Sequence, residues 1–113
     1  MKIIKDKLAL HELRQMASGL FGDLVKAVVD IDEELVAVDA ELHSDLEALL
    51  LQEGSRQASL WGINLYPEAA GEAFVEFDSM INLRPSQGNR GRGVENPGTR
   101  ERIIAVVAKR IQR

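Results

Sequence analysis

Leu10, Leu13, Ala17, Leu20 and Phe21 recur at three- and four-residue intervals, which predicts an amphipathic helix closed by Gly22. Its start is only half marked, because Glu12 sits where a capping box needs it but Ala9 replaces the Ser or Thr. Ahead of it, Lys2 to Lys5 reads as a short edge strand or an extended lead-in. Leu24 to Ile31 is β-branched and mostly apolar, and Leu35 to Val38 follows the charged Asp32-Glu33-Glu34. That arrangement predicts a hairpin with an acidic turn, its first strand inside the sheet. Ser44-Asp-Leu-Glu47 is a capping box, so a short second helix is expected, with Leu46, Leu49 and Leu50 on one face and Gly54 ending it. Trp61 to Tyr66 predicts a strand stopped by Pro67. Val75, Phe77, Ile81 and Leu83 then alternate with Glu76, Asp78, Met80 and Asn82, the clearest two-residue period in the chain. Asn96-Pro97 opens a last helix striped by Ile103, Ile104, Val107 and Ile111. The order αββαββα describes an α+β fold, a four-stranded, mainly antiparallel sheet with helices against it. An extra short N-terminal strand joins it if residues 2–5 pair.

With 113 residues and 45% apolar content, residues 1–113 are expected to form one domain with its own core. There is no cysteine, which excludes disulfides and thiolate chemistry and suits a reducing compartment. No apolar run reaches the roughly 18 residues of a membrane span. The start Met-Lys-Ile-Ile-Lys-Asp is charged too soon for a signal peptide, so a cytoplasmic protein is expected, with no membrane partner. The net charge of −4 conceals an asymmetry. Residues 1–83 carry six Lys and Arg against sixteen Asp and Glu, a net of −10, whereas residues 84–113 carry eight against two, a net of +6. Either the acidic body and the basic segment attract each other, within one fold or across a homodimer, or the basic segment meets an external anion.

The stretch Arg84-Pro-Ser-Gln-Gly-Asn-Arg-Gly-Arg-Gly-Val-Glu-Asn96 departs furthest from what a plain small domain needs. Glycines permit the positive φ angles of an anion-binding nest, and a helix N-terminus follows. Arg84, Arg90 and Arg92, with Gln87, Gly88 and Asn89, are therefore candidate ligand-binding residues. The competing reading is a solvated loop whose arginines pair with the acidic body. Gly-Lys-Ser/Thr is absent, so this is no Walker loop.

On the polar side of the 75–83 period lie Asp78 and Asn82, and Asn64 is placed to face them across a hairpin, which would line a pocket. The alternative is a sheet face washed by solvent. Glu41, His43 and Asp45 would share one face of an extended segment as metal ligands or an acid–base group, but Ser44 already has a capping role and no metal is assigned. His43 and Asp78 are the weak catalytic candidates. No serine sits in a nucleophile elbow, and no cofactor is indicated.

The segments Trp61-Gly-Ile-Asn-Leu-Tyr-Pro67, Phe77-Asp-Ser-Met-Ile-Asn-Leu-Arg-Pro-Ser-Gln-Gly-Asn89 and Gly22-Asp-Leu-Val-Lys-Ala-Val-Val-Asp30 resemble an uncharacterised family of small prokaryotic single-domain proteins. The resemblance spans nearly the whole chain. It implies a stand-alone domain and carries no activity, cofactor or catalytic residue with it.

The reading that results is a protein binding a small anionic, phosphate-bearing ligand at residues 84–96. Asn64 and Asn82 would orient the rest of the ligand, and whether turnover follows is left open. The alternative is a protein–protein interaction module, a homodimer or a partner complex, joined through the acidic body and the basic segment. Nucleic-acid binding is disfavoured by overall acidity and the want of aromatics beside the basic stretch.

Overall fold

A computed structural model describes residues 1–113. In chain order the elements are β1 (Lys2–Ile4), β2 (Leu8–Ala9), α1 (Leu10–Gly19), β3 (Val25–Asp30), β4 (Leu35–Val38), α2 (His43–Gln52), β5 (Leu60–Leu65), β6 (Val75–Glu76), α3 (Pro97–Arg110) and β7 (Ile111–Gln112). Short 3-10 turns cover Gln57–Ser59, Gly71–Phe74, Met80–Asn82 and Pro85–Gln87. No helix is long and apolar enough to cross a membrane.

The apolar run of β3 takes the central place in the sheet, flanked by β4 and β5. The strand order is β1-β4-β3-β5-β6, all pairs antiparallel. β3 and β4 meet through a turn that Asp30 holds, its Oδ1 accepting from Asp32 N and Glu33 N at 3.0 Å each. Such a side chain replaces backbone partners that a tight turn cannot supply. One face of the sheet is covered by α1 and α3, where Leu13, Ala17, Ile103 and Val107 meet Val25, Ala27, Val29 and Ile63. The other is covered by α2, where Leu46 and Leu50 meet Val28, Ala37 and Leu60. Helices thus lie on both faces, as the double-sided burial of β3 requires. A two-residue parallel pair, β2 with β7, ties the start of α1 to the end of α3.

Three expectations need correction. The sheet has five strands rather than four, because residues 2–4 do pair, and β2 and β7 are additional to the αββαββα order. The capping box at Ser44 is not used, since α2 begins at His43 with Leu42 at the cap and no side-chain cap bond. Finally, the alternation over 75–83 is not a strand beyond Glu76. Phe77 packs against the α1/α3 side and Ile81 against the α2 side, so the chain crosses the edge of β5 instead of running along it.

Side chains replace the missing ladder. Asn82 Oδ1 accepts from Gly62 N at 2.8 Å, and Asn82 Nδ2 donates to Gly62 O at 2.9 Å and to Arg92 O at 2.9 Å. The Arg84 guanidinium donates to Leu60 O and, at 3.1 Å, to Ile81 O. The approach is close enough that a Cβ on Gly62 would lie 2.5 Å from the Ser79 side chain, so only glycine fits there.

Candidate functional site

A cleft of about 490 Å³ opens beside the uncapped end of α2. Its walls come from the first turn of α2, the start of β3, the end of β5 and the segment 76–81. Sheet register sets its polar row, because Lys26 of β3 pairs with Asn64 of β5, which pairs with Glu76 of β6. Of the residues expected from the sequence, His43, Asn64, Asp78 and Arg92 line this cleft together. Lys26, Tyr66 and Glu76 join them and were not anticipated. The signal available was the single lysine interrupting Val25-Lys-Ala-Val-Val29, a charge in an interior strand that needs an outlet.

Asn64 is 6% exposed, and its amide orientation follows from its neighbours. Its Nδ2 donates to Glu76 Oε1 at 2.8 Å, and Tyr66 OH donates to the same oxygen at 2.9 Å. An amide oxygen has no hydrogen to donate to the carboxylate, so Asn64 Oδ1 is turned away from it and is buried without a partner. Burial first, then the adjacent Glu76 charge, raise the Tyr66 pKa, so its hydroxyl remains a donor at neutral pH.

His43 is the first residue of α2, and its ring is buried. Its Nε2 lies 2.8 Å from Ile63 O, which can only accept, so the neutral ring carries its proton there and leaves Nδ1 as a lone pair. Burial holds the His43 pKa below 6.5, against the opposing pull of the Ile63 carbonyl and Asp78. A depressed folded-state pKa stabilises the fold above the unfolded value and is lost as pH falls through the folded one. Between pH 7.5 and 5.5 the urea midpoint is therefore expected to fall more steeply in the native protein than in His43→Gln, whose amide keeps the bond to Ile63 O. Parallel slopes in the two proteins would contradict this assignment. The Asp32 and Glu34 carboxyls are held below the usual carboxylate values, Asp32 by the Ser59 hydroxyl and then Arg102, Glu34 by Lys109, so what they contribute is lost as pH falls through that range.

The other expected site residues are used by the fold. Arg84 is 7% exposed and faces inward, stacked 4.6 Å over the Trp61 ring with Glu47 at 3.8 Å. Asn82 is fully buried at the edge of β5. Asn89 Nδ2 donates to the carbonyls of Asn82, Gly91 and Gly93, and its Oδ1 accepts from Glu95 N. The loop's interior therefore gathers carbonyl oxygens, the opposite of an anion nest. Gly88 takes a positive φ of 82°, whereas Gly91 and Gly93 do not, and the N–H groups of Gly88 and Asn89 bond to Pro85 O and Arg84 O. Gln87 and Arg90 are exposed, and Arg92 forms a surface ion pair with Asp78 at 2.7 Å. No trio of His, Asp and Glu side chains converges at Glu41, His43 and Asp45, because α2 starts between them.

The charge asymmetry is also met within the chain. Arg102 pairs with Asp32 at 2.8 Å and Lys109 with Glu34 at 2.7 Å, while Arg110 donates to Glu34 O and Asp6 O. α3 thus lies on the acidic turn of the β3–β4 hairpin. No curated protein and no solved structure matches the chain. Residues 2–110 match the family model described as Protein of unknown function (DUF5674), and the chain belongs to that family.

Proposed function

We propose that the protein binds a small ligand bearing a phosphate or carboxylate, in the cleft at the N-terminus of α2 and not within the 84–96 loop. The observation that carries this reading is Lys26, whose ammonium lines the cleft without a carboxylate partner, its only close aromatic being Phe21 at 5.1 Å. Three further features support it. The first turn of α2 has no side-chain cap, and although Asp45 N bonds to Leu42 O, the N–H groups of His43 and Ser44 at the positive end of its dipole remain open to an anion. Arg92 stands opposite, in an exposed ion pair worth at most about 1 kcal/mol, which an incoming anion can break. Asn64 Oδ1 beneath the cleft lacks a donor, which a ligand hydroxyl or amine could supply after a small rotation of the side chain.

Such a ligand stabilises the folded state by mass action, by about 2.7 kcal/mol at a hundredfold excess over Kd. A thermal-denaturation series with phosphate monoesters and small carboxylates is expected to raise the melting temperature of the native protein. Lys26→Met should abolish the rise, whereas Arg90→Ala should leave it intact. A rise lost in Arg90→Ala and kept in Lys26→Met would return the site to the glycine–arginine loop.

A further inference from the structure

We infer that the ligand of this cleft carries a compact apolar group, aromatic or branched, beside its anion. The inference rests on the anion reading above and adds the chemistry of the other half of the molecule. Phe21, Leu42 and Met80 are 41%, 54% and 61% exposed, and all three line the cleft. They come from three separate places, the turn after α1, the residue capping α2 and the 3-10 turn at Met80–Asn82. Single exposed apolar residues are ordinary on a protein surface, but several converging on one concavity with a charged floor mark a recognition site.

The placement of charge decides what occupies it. Lys26 lies near the Phe21 ring, so the anion's position and the apolar rim adjoin. A bare phosphate or acetate would contact the cations and leave the rim in water. A purely apolar ligand would bury Lys26 without a counter-ion, at a high desolvation cost. A molecule with both parts satisfies both walls. Met80 suits this role because an unbranched thioether adapts to ring or alkyl surfaces. The cleft's volume of about 490 Å³ accommodates a compact ligand rather than a long chain.

Burying a phenyl-sized group is worth roughly ten- to a hundredfold in affinity. Titration calorimetry with inorganic phosphate against phenyl phosphate, and acetate against phenylacetate, is therefore expected to favour the aryl member of each pair by that factor. Met80→Gln and Leu42→Ala, both at exposed positions, should each reduce the advantage severalfold, by more than either changes affinity for the bare anion. Lys26→Met should weaken both members of each pair. Equal affinity within the pairs overturns the apolar half and leaves the anion reading standing. Absence of binding by all four compounds overturns the anion reading itself. An aryl advantage that neither rim substitution diminishes overturns the assignment to this rim. Concentration-dependent mass in light scattering that Met80→Gln abolishes, without any aryl advantage, would make the rim a contact between protein molecules instead.

Discussion

Asn82→Ala is expected to lower the unfolding free energy by about 3–5 kcal/mol, in the range reserved for the most disruptive single changes. The side chain is fully buried and serves three backbone groups, the N–H and C=O of Gly62 and the C=O of Arg92. Alanine leaves all three without partners, and each orphaned buried group costs roughly 1–3 kcal/mol. Asn82→Asp should fare no better, because a carboxylate keeps the acceptor for Gly62 N but sets negative charge against two carbonyl oxygens. Urea unfolding with an unchanged m-value is the measurement. A loss below about 1 kcal/mol would show that neighbouring backbone closes over the gap and that Asn82 is not what joins β5 to the 80–92 segment.

Arg84→Ala is expected to cost a similar amount, about 3–5 kcal/mol, for a different reason. Burial holds the Arg84 pKa below its usual value, so its charge is maintained at some cost by the groups around it. Those are the carbonyls of Leu60 and Ile81, the Trp61 ring and the Glu47 carboxylate. The pair with Glu47 is loose, since Glu47 Oε2 and Arg84 Nη1 both lack hydrogen-bond partners. Removing the arginine leaves a half-buried carboxylate with no counter-charge. Glu47→Gln introduced into Arg84→Ala should therefore recover part of the loss, whereas Arg84→Lys should recover little, for want of the planar fork and the stacking. If the double variant proves no more stable than Arg84→Ala, the buried charge is not what the arginine offsets.

The strands and helices that carry the core were legible where pattern and punctuation agreed. The apolar run of β3, the acidic turn after it and the strand stopped by Pro67 all appear as read. So does the Asn96 cap of α3, which accepts from Gly98 N and Thr99 N. The stretch after Glu76 departs from the strand its alternation predicts for a physical reason. Alternation reports which positions are apolar, and Phe77 and Ile81 satisfy it while serving opposite faces of the sheet. Nothing in the spacing announces that an amide and a guanidinium will take the place of a strand's backbone. The same limit applies to the loop, where counting arginines could not reveal that Arg84 turns inward while Arg90 stays outside. Spacing marks His43, Asn64, Asp78 and Arg92 for their chemistry, but it takes the sheet register, the start of α2 and the crossing of the segment after Glu76, bonded to Arg92 O through Ser79 N, to bring them to one cleft. Lys26 escaped notice because its worth depends on what lies across the sheet.

Closing a strand's edge with two side chains has a consequence for the protein under stress. Leu60–Leu65 is uncharged, lacks proline and is rich in large apolar residues, the composition of segments that stack into fibrils. In the native state its outward N–H and C=O groups at Leu60 and Gly62 are hidden by Asn82 and Arg84 rather than by a strand, since β6 pairs only with Asn64 and Leu65. Local opening of residues 80–92 would bare that edge while the sheet itself persists. Fibril growth, should it occur on mild heating, would then be seeded from this hexapeptide rather than from a fully unfolded chain.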